Sequence, residues 1–136
     1  MSQMPSSTTA DSGAPALILF AHGARDARWA EPFQRLQQQA QAQRPDALVR
    51  LAFLEFMQPS LPELVDELVA QNCYQISLVP VFLAQGGHVL RDLPAMLEKL
   101  QQQYPQIQVT VASAIGEDPA VMQAIAQYCV RSLPLA

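Results

Sequence analysis

The stretch LILFAHGARD, residues 17–26, joins an uninterrupted apolar run to a histidine, a glycine and an arginine. Such a run is typical of a strand that is buried on both faces of a parallel sheet. His22 and Gly23 follow where this strand would end. Ligands of parallel α/β sheets bind beyond the carboxyl ends of the strands. The stretch therefore predicts a fold class and the edge of the sheet where a site lies.

The alternation of apolar strand and amphipathic helix repeats along the rest of the chain. Ser60 and Glu63 form a capping box, and Asp118-Pro119 is a typical helix start. The predicted strands cover residues 17–21, 48–56, 76–83 and 107–112, and the predicted helices cover 29–43, 60 onward, about 88–104 and 118 to about 132. This order predicts an α/β fold: a small parallel four-stranded sheet with helices on both faces.

Size and composition favour one domain. The chain has 136 residues, of which 50% are hydrophobic, which suits a single domain over residues 16–136 after a disordered tail at residues 1–15. The net charge of −4 argues against a nucleic-acid partner. No apolar run approaches the roughly 20 residues of a membrane span, and no signal peptide is recognisable, so we expect a cytoplasmic protein. Cys73 and Cys129 are expected to be small buried side chains.

Three polar residues are predicted to share the carboxyl edge of the sheet. His22, Glu55 and His88 each follow or end a predicted strand, and neighbours in this set are 33 residues apart. Two imidazoles and a carboxylate suit Co²⁺, Ni²⁺, Fe²⁺ or Zn²⁺, and the same groups could instead accept protons. Gly86 and Gly87 permit close approach of the backbone to a ligand.

The chain resembles the short form of the class II tetrapyrrole chelatases, the family of sirohydrochlorin cobaltochelatases and ferrochelatases. The resemblance covers about residues 17–130. It is carried by LILFAHGARDARWAEPF, LAFLEFMQPSLPELVDEL and ISLVPVFLAQGGHVLRDLPAML, and more weakly by VASAIGEDP. The family commonly has HGSR where this chain has an alanine, Ala24, in place of the serine.

The resemblance implies a chelatase-like fold that inserts a divalent metal into sirohydrochlorin, in cobalamin or siroheme biosynthesis. It implies that His22 and His88 handle the metal and that Glu55 lines the same cleft, with Glu55 or a histidine accepting the pyrrole protons. The metal is a substrate, Co²⁺ first with Fe²⁺ and Ni²⁺ as alternatives, and no tightly bound organic cofactor is expected. Short-form members act as homodimers. Expected substrate contacts are Arg25, Arg28, Arg91, Gly86 and Gly87, with the macrocycle packing on Leu83, Ala84, Phe56 and Met57.

Other functions stay open at this point. A non-enzymatic metal-binding or metal-delivery module could use the same His22, His88 and Glu55. An α/β-hydrolase would need a Gly-x-Ser-x-Gly elbow, which the sequence lacks. A histidine phosphatase would need an arginine before the histidine, where this chain has Ala21.

Overall fold

A four-stranded parallel sheet forms the centre of the protein. The computed structural model describes residues 13–84 and 87–135, without the side chains of residues 87–90. The strands are β1 (Ala16–Ala21), β2 (Leu48–Phe53), β3 (Gln75–Pro80) and β4 (Gln108–Val111), in the order β2-β1-β3-β4. The helices are α1 (Glu31–Gln43), α2 (Leu61–Ala70), α3 (Gly87–Gln103) and α4 (Pro119–Arg131). The predicted α/β class and parallel four-stranded sheet are confirmed.

Helices pack on both faces of β1, which explains its uninterrupted apolar sequence. Ile18 and Phe20 face the main core, where side chains of α2 and α3 pack. Ala21 belongs to a smaller cluster on the opposite face, beside Phe53 of β2 and Phe33 of α1. Because β1 is an inner strand with both faces covered, neither face of it needs polar side chains.

Local capping signals correctly predicted where α2 and α4 begin. The Ser60 hydroxyl accepts a hydrogen bond from the Glu63 amide, and the Glu63 carboxylate accepts one from the Ser60 amide. Asp118 caps α4 by accepting from the Val121 amide at 3.1 Å. The first helix differs from its prediction at residue 29, because Ala27–Ala30 forms a 3-10 turn and α1 begins at Glu31.

The predicted tail and domain meet in an ordered segment. Residues 1–12 of the predicted tail lie outside the described residues. Pro15 accepts a hydrogen bond from the Leu48 amide at 2.9 Å, and Ala14 accepts one from the Cys73 thiol at 3.0 Å. The chain is thus attached to the domain already ahead of β1. No helix in the described part of the chain is long and apolar enough to cross a membrane.

One half of the sheet is open on the face that carries α1. Ser77 of β3 and Thr110 of β4 are paired in register on that face, and both are exposed. None of the thirteen residues of α4, all of which the structure describes, is buried. The predicted burial of Cys73 is confirmed, whereas that of Cys129 is wrong because Cys129 lies on exposed α4. Helices thus occupy both faces, but within the described residues they leave this half uncovered.

Candidate functional site at the carboxyl edge of the sheet

The tips of β1 and β2 are joined by their backbones. The Leu54 amide donates to the Ala21 carbonyl at 2.9 Å, and the Glu55 amide donates to the His22 carbonyl at 3.0 Å. His22 and Glu55 therefore lie on adjoining turns, and both side chains are exposed. The structure brings these two predicted site residues together.

Gly23 makes this approach sterically feasible. Its φ is +95°, and a Cβ atom built there would lie 1.8 Å from the Glu55 carbonyl oxygen. A side chain is excluded both by this close approach and by the left-handed backbone conformation. The glycine after His22 thus keeps the two turns in direct contact.

An aromatic ring and a guanidinium stand beside this pair. Phe56 has a φ of +68°, which is rare for a residue with a bulky side chain. Phe56 is 54% exposed, and the Arg25 Cζ atom lies 4.4 Å from the centroid of its ring. This is a cation–π contact, which holds the guanidinium against the ring. Arg25 and Phe56 form one surface with both charged and apolar character.

Arg28 already has an acidic partner on its own turn. Its guanidinium lies 2.8 Å from the Asp26 carboxylate, and its amide donates to the same side chain at 2.9 Å. These hydrogen bonds from Arg28 lower the pKa of Asp26 below its ordinary value. Arg28 would have to release this partner to bind another anion, whereas the contact described for Arg25 is with an aromatic face.

The tip of β3 supplies apolar surface to the same edge. The Phe82 ring lies 5.4 Å, centroid to centroid, from the His22 imidazole. Leu83 is 62% exposed and Ala84 is exposed, in keeping with a role in contacting a flat ligand. Met57 differs because it is half-buried against the smaller cluster with α1. Three of the four predicted apolar contacts therefore present free surface.

Part of the predicted site lies on the segment that begins α3. Gly86 lies outside the described residues, and so does the side chain of His88. Gly87 is the first residue of α3, and Arg91 lies one turn later with an exposed side chain. Among the residues whose side chains are described, no three His, Cys, Asp or Glu groups come together as a metal-binding cluster. His22 and Glu55 are the two members of the predicted set whose proximity the structure describes.

Sequence reasoning did not identify Phe82 and Gly116. Gly116 donates its amide to the Phe82 carbonyl at 3.1 Å, and a Cβ atom at residue 116 would lie 1.8 Å from the Leu83 carbonyl oxygen. The turn after β4 is therefore pressed against the tip of β3. The glycine in GEDP was a usable signal, because a glycine just after a strand of such a sheet often marks close backbone contact.

The fold defines the class of protein. The structure superposes on the sirohydrochlorin chelatase SirB from Bacillus subtilis subspecies spizizenii, which was solved in complex with cobalt. The superposition covers 87% of this chain and 50% of the SirB chain. The TM-score is 0.75 at 22% identity, which shows a shared fold. The CbiX protein from Marinobacter aquaeolei VT8 superposes with a TM-score of 0.76 at 34% identity, over 86% of this chain and 95% of that chain.

The chain belongs to the CbiX family, whose model matches residues 16–131. Two similar proteins are the sirohydrochlorin cobaltochelatases of Methanococcus aeolicus, 32% identical over 82 residues, and Methanocaldococcus jannaschii, 32% identical over 89 residues. The matches cover 60% and 65% of this chain, and 57% and 62% of the relatives. The matched part thus spans about six tenths of each of these relatives. The comparisons give no support to a non-enzymatic metal-delivery module.

Proposed function

We propose that the protein is a metal chelatase that inserts a divalent ion into sirohydrochlorin, with Co²⁺ as the first candidate and Fe²⁺ and Ni²⁺ as the alternatives. The observation that carries the proposal is the contact between the turns of His22 and Glu55 at the carboxyl edge, in a member of the CbiX family. The curated relatives named as sirohydrochlorin cobaltochelatases support the same substrate.

The chemistry requires side chains that hold the metal ion and, close to them, a base that accepts protons. Pyrrole nitrogens form bonds to the incoming ion while two pyrrole N–H bonds break, and both protons must go to a base. In the proposal, His22 and His88 hold the ion through their imidazole nitrogens, which are suitable ligands for Co²⁺, Fe²⁺ and Ni²⁺. The Glu55 carboxylate, on the turn that contacts His22, accepts protons as they leave.

The surroundings of the pair suit a flat, carboxylate-rimmed macrocycle. The exposed ring of Phe56 and the exposed Leu83 offer apolar surface for the macrocycle. Arg25, held against Phe56, would bind a rim carboxylate through a charge-assisted hydrogen bond. Arg91 on α3 and Arg28 would bind further carboxylates, Arg28 after releasing Asp26.

The proposal also includes Gly86 and Gly87 as substrate contacts. It further includes a homodimer as the working form, the cytoplasm as the location and no tightly bound organic cofactor.

Metallation under anaerobic conditions tests the proposal. The protein is mixed with sirohydrochlorin and Co²⁺, Fe²⁺ or Ni²⁺, and the absorbance change of metallation is compared with the protein-free rate. Glu55→Gln keeps the shape of the side chain but removes the base, so we expect the rate to fall by about 100-fold. Asp46→Asn is the matched control, since Asp46 is an exposed carboxylate that precedes β2 at the opposite edge of the sheet.

Two results would contradict the proposal. The first is the absence of acceleration with all three ions. The second is full activity in both His22→Ala and His88→Ala, which would remove the basis for assigning the metal to these imidazoles. The ion that gives the highest kcat/KM identifies the preferred metal.

A further inference from the structure

We propose that Phe82 is a positioning residue for His22 and holds the imidazole in the orientation that the metal ion requires. The inference rests on the proposed function, because it takes His22 as a metal ligand. The Phe82 ring is in contact with the His22 imidazole, and the fold fixes the phenylalanine while the histidine is exposed. Phe82 acts through His22, since its side chain has no atom that binds a metal ion.

The core fixes the ring of Phe82. Phe82 is half-buried and packs against the main core cluster. Its ring meets the fully buried ring of Phe20 edge to face, with 6.3 Å between the centroids and 66° between the planes. Edge-to-face contact is a preferred geometry of aromatic pairs, so it favours one orientation of the Phe82 ring. The same ring thus joins Phe20, which is buried in β1, to His22, which lies two residues further along the chain.

The backbone of Phe82 is held on both sides. On the side of β1, the Val81 amide donates to the Phe20 carbonyl at 2.8 Å. On the side of β4, the Gly116 amide donates to the Phe82 carbonyl at 3.1 Å. Gly116 also lies directly against the backbone of Leu83, where an added Cβ atom would be 1.8 Å from the carbonyl oxygen. The point from which the Phe82 side chain projects is therefore fixed.

His22 gains orientation from this fixed ring. An exposed side chain samples several rotamers, and ordering it when a ligand binds costs free energy. The two rings lie 5.4 Å apart, centroid to centroid, with 59° between their planes. Histidines that bind metals are normally oriented by a second group, often a hydrogen-bond acceptor. Because the Phe82 side chain carries no nitrogen or oxygen, it restricts the imidazole without competing for the lone pair that binds the ion.

Loss of the Phe82 ring should affect the metal ion and not the macrocycle. Groups that orient metal-binding histidines change metal affinity or activity by about 10- to 100-fold, and an apolar contact belongs at the lower end of this range. We therefore expect the affinity for Co²⁺, and kcat/KM for the ion, to fall about 10-fold. The surface proposed for the macrocycle, at Arg25, Phe56 and Leu83, is left in place, so KM for sirohydrochlorin should not change.

The contact is tested first by NMR, without metal or tetrapyrrole. Phe82→Leu removes the ring, whereas Phe82→Tyr keeps it. The chain has two histidines, so the spectrum of His22→Ala identifies the imidazole resonances of His22. We expect a nuclear Overhauser effect between the two rings in the unmodified protein and in Phe82→Tyr. In Phe82→Leu, the imidazole resonances should move toward those of a free histidine side chain.

The consequence for the metal is measured by titration with Co²⁺ alone, followed by metallation of sirohydrochlorin. Phe82→Leu should bind Co²⁺ about 10-fold more weakly, and Phe82→Tyr should bind it normally. Tyr74→Leu is the matched control, because Tyr74 is half-buried against the same core cluster but precedes β3 at the opposite edge of the sheet. It should lose stability without a change in Co²⁺ affinity.

Gly116→Ala provides a second test that leaves Phe82 itself unchanged. The added Cβ atom displaces the backbone after β3, because its nearest neighbours are the carbonyl oxygen and carbon of Leu83. We expect the same shift of the His22 resonances and the same loss of Co²⁺ affinity as in Phe82→Leu. Circular dichroism confirms that each variant is folded, and this variant decides the question if Phe82→Leu does not fold.

Three results would overturn the inference. The first is unchanged imidazole resonances and unchanged Co²⁺ affinity in Phe82→Leu. The second is a rise in KM for sirohydrochlorin at constant Co²⁺ affinity, which would mean that Phe82 contacts the macrocycle. The third is an equal loss of Co²⁺ affinity in Tyr74→Leu, which would reduce Phe82 to a structural role. The NMR and Co²⁺ measurements need no tetrapyrrole, so a failure of the unmodified chain to metallate sirohydrochlorin counts against the chelatase proposal alone.

Discussion

Replacement of Gly23 by alanine tests the contact that places His22 beside Glu55. The glycine has a φ of +95°, and the new Cβ atom would lie 1.8 Å from the Glu55 carbonyl oxygen and 3.0 Å from its carbonyl carbon. Both neighbours are backbone atoms, so no side chain can simply rotate away. The turn after β2 must move, and the hydrogen bond from the Glu55 amide to the His22 carbonyl must lengthen or break.

The cost follows from these two effects. A left-handed backbone costs an alanine about 1–2 kcal/mol relative to glycine. Loss of one backbone hydrogen bond adds about 1 kcal/mol. We therefore expect Gly23→Ala to lower the free energy of unfolding by about 2–3 kcal/mol, which corresponds to roughly 10 °C in Tm for a domain of this size. The separation of His22 and Glu55 increases as well, so metallation per folded molecule should also slow.

Urea denaturation followed by circular dichroism measures the change in stability. Gly13→Ala is the matched control, because Gly13 has a φ of +74° and its added Cβ atom would lie 2.0 Å from the Asn72 carbonyl oxygen, ahead of β1. This variant is expected to lose stability without slowing metallation. A Gly23→Ala protein within 0.5 kcal/mol of the unmodified chain, a margin well inside the usual effect of a point substitution, would refute the steric reasoning.

Three further predictions concern single contacts. Ser60→Ala removes the capping box of α2 and should lower the free energy of unfolding, measured by urea denaturation, by about 1 kcal/mol. An unchanged midpoint of the urea transition would contradict the capping role. Arg25→Ala should raise the KM for sirohydrochlorin about 10-fold with kcat little changed, because it removes one charge-assisted contact, whereas Arg44→Ala at the opposite edge should leave KM unchanged. The Arg44 guanidinium lowers the pKa of Asp46 from 3.8 to about 2, so the contribution of the ion pair to stability is complete above pH 3.8 and is lost as the pH falls toward 2. An NMR titration of the Asp46 carboxyl should show a midpoint near this lowered pKa, and Arg44→Gln should return the pKa of Asp46 toward 3.8.

The sequence predicted the starts of α2 and α4 because each of them has its own local signal. The capping box at Ser60 and the Asp118-Pro119 pair fix helix starts through hydrogen bonds within a few residues, and both were found as predicted. The strand ends were less well predicted, since an apolar run does not show where pairing stops. β2 ends at Phe53 and not at residue 56, because the chain turns there and Phe56 adopts a positive φ. β3 likewise ends at Pro80 and not at residue 83.

The proximity of His22 and Glu55 could be predicted, but not the backbone contacts that hold their turns together. Topology alone places His22 and Glu55 at one edge, since both follow parallel strands. The close backbone contacts at Gly23 and Gly116 depend on distances between turns that are far apart in sequence, which periodicity does not encode. The open half of the sheet was also beyond prediction, because the apolar pattern of α4 is the same whether the helix covers its own sheet or another surface.

The peptide-to-peptide contact between the turns of His22 and Glu55 has a consequence for mutational tolerance. Because carbonyl and amide groups set the spacing, the side chains around them are free to vary, provided that Gly23 is retained. The side chain of Ala24 takes no part in this backbone contact. In a library that randomises residues 24 and 26–28, many variants should therefore keep the backbone geometry of the pair, which makes this turn a suitable place to introduce new side chains without disturbing the contact between His22 and Glu55.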